Sequence, residues 1–138
     1  MEMRVLVCGG RNFRDSASVF EALAAQHRES PISLIIEGGA LGADEIAALW
    51  ADCAGVKRRK FKADWTRLGR SAGPIRNALM IAEGRPDLVI AFPGGKGTAD
   101  MIAKAKSAGI PVREIAAAKS AGLIEAKAGD AQELRKST

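Results

Sequence analysis

The chain has 138 residues, 47% of them hydrophobic and 27% charged, with a formal net charge of +5. A chain of this length can bury a real core in one domain, and its composition is ordinary for a soluble globular protein. No stretch approaches the ~20 apolar residues that span a bilayer, and an aromatic content of 4% with no tyrosine argues against single-strand recognition by stacking.

The basic balance favours anionic partners, from nucleotides to nucleic acids. The start, Met1-Glu2-Met3-Arg4, lacks the basic segment, apolar run and cleavage site of a secretory signal. A cytoplasmic protein with no membrane attachment is therefore expected. Cys8 and Cys53 lack metal-ligand spacing and are expected to be two buried free thiols.

In chain order, the first strand is Arg4 to Cys8, ending in the turn Gly9-Gly10-Arg11-Asn12. A helix from Ser16 to Arg28 follows, with Asp15 or Ser16 as its cap. The second strand, Leu34 to Glu37, ends in Gly38-Gly39-Ala40-Leu41-Gly42-Ala43-Asp44, and Asp44 is placed to cap a helix running to Ala54. The third strand, Val56 to Phe61, carries four consecutive basic residues, Lys57 to Lys60. A long connection containing Trp65, Arg67 and Arg70 leads to a helix from Pro74 to Glu83, whose first turn holds Arg76 and Asn77. The fourth strand, Leu88 to Phe92, ends in Pro93-Gly94-Gly95-Lys96-Gly97-Thr98, before a helix from Asp100 to Ala108. Val112 to Ile115 is the fifth strand. Gly55, Gly84 and Gly109 follow helical runs, where a left-handed closing residue is wanted.

Strands alternating with helices predict a three-layer α/β/α Rossmann-like fold with a parallel sheet. The first, second and fourth strands are apolar throughout and belong in the centre. The third cannot bury four cations on two covered faces, so it belongs at an edge. The predicted order is 3-2-1-4-5; a 2-1-3-4-5 order would put Lys57 to Lys60 in the middle. Residues 1–115 form the ligand-binding domain, and 116–138 a tail, either an added strand or helix or partly disordered.

Ligands of open parallel sheets bind beyond the carboxyl ends of the strands, where the order reverses. Three glycine-rich turns converge there. Gly9, Gly10, Gly38, Gly39, Gly42, Gly94, Gly95 and Gly97 are more than half of the 15 glycines. Backbone N–H groups at such turns, joined to helix N-termini, make a site for phosphate. One such turn is as well explained as a tight connection; three together favour binding. Lys96 adds charge, Thr98 a hydroxyl, and Arg76 a guanidinium. Trp65 suits either stacking on a base or pinning its loop, and Arg67 and Arg70 suit solvated surface. Asp44, Asp64 and Asp100 are acids or ribose ligands, although Asp44 and Asp100 also suit the start of a helix.

Several look-alikes fail. The P-loop needs Lys followed directly by Ser or Thr, and Gly97 intervenes here. No G-x-G-x-x-G follows the first strand. His27 is the only histidine and reads as a surface residue, and Trp50 reads as core. No histidine triad or metal cluster can be assembled, and no cofactor is expected.

Cys8-Gly9-Gly10-Arg11-Asn12-Phe13, Gly38 to Asp44, Ala63-Asp64-Trp65 with Ala72 to Asn77, and Pro93 to Asp100 together resemble the YspA branch of the SLOG superfamily. That superfamily joins the Smf/DprA proteins with the Lonely Guy nucleotide phosphoribohydrolases. The resemblance covers about residues 3 to 115. It implies a Rossmann-like fold of the same strand order, and binding of nucleotides or nucleotide-derived signals in bacteria and their phages.

It also implies where catalysis would sit. The Lonely Guy pattern P-G-G-x-G-T-x-x-E has Met101 at its glutamate here, while Arg76 to Met80 keeps R-x-x-x-M. A thioether cannot exchange a proton or stabilise an oxocarbenium ion. N-glycosidic hydrolysis of nucleotides would need Arg76, with Asp100, Asp44 or Asp64 in place of the glutamate. Ligand binding, in the manner of a sensor, therefore ranks above hydrolysis, and DNA binding through Smf/DprA kinship ranks third. Relatives in the superfamily commonly dimerise, so a homodimer is expected.

Overall fold

Successive side chains of a strand point to opposite faces, and in the central strands both faces are apolar. The structure, a computed structural model, describes residues 2–117. Its strands are β1 (Met3–Cys8), β2 (Ile32–Glu37), β3 (Lys57–Lys60), β4 (Leu88–Ala91) and β5 (Val112–Glu114). All neighbouring pairs are parallel, in the order β3-β2-β1-β4-β5. The helices are α1 (Ser16–Glu29), α2 (Ala43–Ala54), α3 (Trp65–Leu68), α4 (Ala72–Gly84) and α5 (Lys96–Ser107), with a 3-10 turn at Gly69–Ser71.

Val5, Val7, Ile35 and Ile90 bury one face of the sheet against Val19 and Leu23 of α1 and Ile46, Ala47 and Trp50 of α2. Leu6, Ile36, Val89 and Ala91 bury the other against Met80 of α4 and Met101 and Ala105 of α5. Each fully buried Leu or Ile contributes about 1.5–3 kcal/mol, so the two apolar faces drive the three-layer arrangement.

The predicted order is the observed one, and for the expected reason. All four β3 residues are exposed. Arg58 pairs with Asp52 at 2.9 Å and Arg59 with Glu83 at 3.4 Å, on opposite faces of the edge. Among the described residues, no helix is long and apolar enough to cross a membrane.

Several local expectations change. The long connection after β3 contains α3 and the 3-10 turn. Asp15 does cap α1, accepting from the Ser18 N–H at 3.1 Å. Gly42, not Asp44, is the cap residue of α2. Gly84 is the last residue of α4, packed on Ile36, and Arg85 takes the left-handed closing position at φ 47°. Cys8 is buried, but Cys53 is exposed because it lies on the outer side of α2. His27 is half-buried: its Nδ1 accepts from the Ile32 N–H at 2.9 Å and its ring meets Trp50 edge-on at 5.5 Å. It fixes the passage from α1 into β2. Of the predicted tail, residues 118–138 lie outside the described residues.

Candidate functional site

The carboxyl ends of β1, β2 and β4 open into a cleft of about 1060 Å³. Gly9, Gly10, Arg11 and Asn12 line it after β1, Gly38, Gly39 and Asp44 after β2, and Pro93 to Thr98 and Asp100 after β4. Trp65, Arg76 and Asn77 line it from the α3–α4 side. Gly42 alone of the predicted set does not. At φ 79° it is packed under the β1 turn, where a Cβ would overlap the Gly10 carbonyl. Cys8, Met80 and Met101 add apolar lining, and Leu41, Lys62 and Arg70 also reach the cleft.

The three turns are wired together by their backbones. The Gly10 N–H donates to the Pro93 carbonyl at 2.8 Å, and the Gly10 carbonyl accepts from Phe13 and Ala43 at 3.1 and 3.3 Å. Both crossing points are tight, and the one at Gly94 admits only glycine. A Cβ at Gly10 would meet the Pro93 carbonyl at 3.0 Å, and one at Gly94 would overlap the Thr98 hydroxyl.

Their hydrogen bonding then separates the turns. After β2, the Gly38 and Ala40 N–H groups donate to Asp44 at 3.0 and 3.3 Å, and the Gly39 N–H donates to Glu37 at 2.6 Å. The N–H groups of that turn are thus taken by its own carboxylates, whereas three sets of free donors were expected. The start of α1 is likewise occupied, by Asp15. The start of α5 is different. It has Gly95 as cap, no capping side chain and no acid in its first turn. The N–H groups of Gly95, Lys96, Gly97 and Thr98 have no partner among the described residues, and the first N–H that does is that of Ala99.

Between these two turns runs a polar bridge carried by α4. Arg76 donates to the Gly38 carbonyl at 2.7 Å and to Asn77 Oδ1 at 3.0 Å. Asn77, 4% exposed, donates to the Gly97 carbonyl at 3.2 Å and to Asp100 at 2.9 Å. Asp100 also accepts from Lys104. The one-turn position of Arg76 and Asn77 on α4 lets them reach both neighbours.

Electrostatics divides the cleft further. Burial pushes the Asp44 carboxyl up to about 6, with help from Glu37 and against the N–H groups of Ala40 and Gly38 and the Arg76 charge. Burial likewise raises Glu37 above its ordinary value. Burial also works against ionisation of Asp100, but hydrogen bonds from Lys104 and Asn77 outweigh it and hold its pKa below the usual carboxylate value. Cys8 is pushed up to about 12 by burial and the nearby Asp44 and Glu114 charges, so it is a thiol and not a nucleophile.

Other candidates fall elsewhere. Asp64 caps α3 through the Arg67 N–H and pairs with the Arg67 side chain at 3.0 Å, so both are engaged with each other. Met101, at the glutamate position of the hydrolase pattern, does line the cleft, as part of its apolar floor, and is 1% exposed. Glu37 was not legible as a site residue. It reads as the end of a strand, and only the fold shows that it is 1% exposed with Oε2 lacking a hydrogen bond. No group of three or more metal-ligating side chains exists among the described residues.

A family model described as the YspA, cpYpsA-related SLOG family matches residues 3–68. The Gene 61 protein of Mycobacterium phage D29 is 40% identical over 119 residues, covering 79% of this chain and 93% of that protein. The chain belongs to the YspA-related SLOG family. As in the fold neighbour DNA processing protein A (DprA) from Streptococcus pneumoniae, this SLOG domain has a Rossmann-like sheet. The superposition has a TM-score of 0.67 at 21% identity, over 88% of this chain and 53% of that one. The SLOG chain therefore spans about half the length of that structural neighbour.

Proposed function

We propose that the cleft binds a nucleotide or nucleotide-derived ligand, with its phosphate on the start of α5. The observation that carries this reading is the set of unoccupied N–H groups at Gly95 to Thr98, in a cleft that also holds Lys96, Arg76 and Trp65. Four donors at the positive end of a helix dipole suit a phosphate dianion. The ionised Asp100, with Asn77 beside it, suits sugar hydroxyls, which donate to a carboxylate. Trp65, 58% exposed at the rim, offers a flat face to a base. With no nucleophilic thiol and a methionine at the glutamate position, the reading is of binding, in the manner of a sensor.

The test is calorimetric titration with nucleoside mono- and diphosphates, ADP-ribose and NAD. At least one is expected to bind, more weakly in Lys96→Ala. Failure of all of them to bind or to raise the melting temperature at saturating ligand would contradict the proposal.

One observation favours a second reading, hydrolysis of an N-glycosidic bond. Asp44 and Asp100 have environments that drive their pKa values apart, as an acid and a carboxylate stabiliser require. Free base released from a nucleoside monophosphate, and lost in Asp100→Asn, would establish it. Nucleic-acid binding has less support: Arg58 and Arg59 of the basic edge strand are paired with acids.

A further inference from the structure

Six cations lie between Arg58 and Arg70. Four of them are answered by an acid. Arg58 pairs with Asp52, Arg59 with Glu83 and Arg67 with Asp64, and Lys60 lies beside the buried Glu37. Lys62 and Arg70 are exposed and in no ion pair among the described residues, and these two line the cleft. Arg67, three residues before Arg70, does not. The stem of Lys62 runs beside the β2 turn, where a Cβ at Gly39 would lie 3.5 Å from it. Arg70 enters from the 3-10 turn that leads into α4.

This pair is remote from the start of α5. That helix follows β4, Lys62 follows β3, and β1 and β2 lie between them. Three strand intervals amount to ~14 Å. A phosphate held by the α5 N–H groups and Lys96 therefore leaves Lys62 and Arg70 unmatched. The acids of the cleft do not match them either. Asp44 is taken by the N–H groups of Gly38 and Ala40, and Asp100 by Asn77 and Lys104.

We infer that Lys62 and Arg70 form a second anion subsite, for a ligand whose two phosphates are held apart by a nucleoside. This rests on the nucleotide reading above. An ammonium and a guanidinium hold phosphate through charge-assisted hydrogen bonds, the guanidinium with two at once. In a nucleoside 3′,5′-bisphosphate or a 5′-phosphorylated dinucleotide, the ribose separates the two groups. In a diphosphate they adjoin, and both would crowd the start of α5. Trp65 lies between Lys62 and Arg70 in the chain and lines the cleft with them, so the base and the second phosphate share one wall.

Calorimetric titration of the full chain compares the nucleoside 5′-monophosphate, 5′-diphosphate, 3′,5′-bisphosphate and 5′-phosphorylated dinucleotide, with adenine and with guanine as base. The bisphosphate or the dinucleotide is expected to bind about tenfold or more tightly than the monophosphate, and the tighter of the two names the source of the second phosphate. The diphosphate is expected to gain less. In Lys62→Ala/Arg70→Ala the tenfold ratio is expected to fall to about one. Arg28→Ala/Lys57→Ala removes the same charge from exposed positions outside the cleft and is expected to keep the ratio. A ratio that both double variants lower equally reflects a general field and overturns the inference. So does a ratio near one in the wild type, a ratio that Lys62→Ala/Arg70→Ala leaves intact, or a diphosphate that gains as much as the bisphosphate. In these cases the monophosphate still binds and the nucleotide reading stands. If no probe binds, both fall.

Discussion

The turn after β2 and the turn after β4 look alike as sequence. Each is rich in glycine, each leads from a parallel strand into a helix, and both open on one cleft. They differ in what their N–H groups do. Asp44 and Glu37 fill the first from within the protein, and nothing among the described residues fills the second. A glycine turn thus keeps its N–H groups free for an anion only when no acid of its own folds back into it. Here two carboxylates decide the matter, Glu37 at the end of β2 and Asp44 two residues into α2.

The largest effect expected from breaking this comparison is at Gly42. A Cβ there overlaps the Gly10 carbonyl at a positive φ, so Gly42→Ala is expected to lose about 2–4 kcal/mol in urea denaturation. Asp44→Ala comes next. It leaves the Gly38 and Ala40 N–H groups unpaired, at about 1–3 kcal/mol. If Asp44 is what keeps an anion off the Gly38 and Ala40 N–H groups, millimolar phosphate will restore part of that loss in the variant and less in the wild type. Equal responses would mean that the emptied turn is still not an anion site.

Removing donors from the other turn acts on binding rather than stability. Lys96→Ala and Thr98→Val are each expected to weaken a phosphorylated ligand about tenfold, or ~1.4 kcal/mol, with melting temperatures nearly unchanged. Loss of fold in Lys96→Ala would show that the side chain serves structure.

The smallest effect is read through pH. The Asp44 pKa is raised on folding, from 3.8 to about 6. The folded state then holds the proton more tightly, and Asp44 makes stability fall as pH rises from about 4 to 6, with no further change above. Asn can still accept from Gly38 and Ala40 but cannot ionise. The stability of Asp44→Asn relative to wild type should therefore grow over that window and then level off. A difference independent of pH would place the Asp44 pKa at its ordinary value.

The fold was legible because its signals are compositional. Four basic residues at 57–60 cannot occupy the centre of a covered sheet, and that alone orders the strands. The convergence of Arg76 and Asn77 on the cleft was legible from their place in the first turns of a helix. The division between the turns was not. Asp44 reads equally well as a helix cap, and only the packing of Gly42 under Gly10 moves the cap forward and turns the carboxylate back onto Gly38 and Ala40. Glu37 escaped for a similar reason: a strand-ending glutamate is ordinarily solvated, and its burial depends on Arg58 and the β2 turn closing over it. Cys53 and His27 were misplaced because helical phase, not residue type, set their exposure.

The most direct test follows the backbone amides by nuclear magnetic resonance while a nucleoside monophosphate is titrated in. Large shifts are expected at Gly95, Lys96, Gly97 and Thr98, with small ones at Gly38, Gly39 and Ala40. Shifts of equal size in both turns, or none at the start of α5, would contradict it.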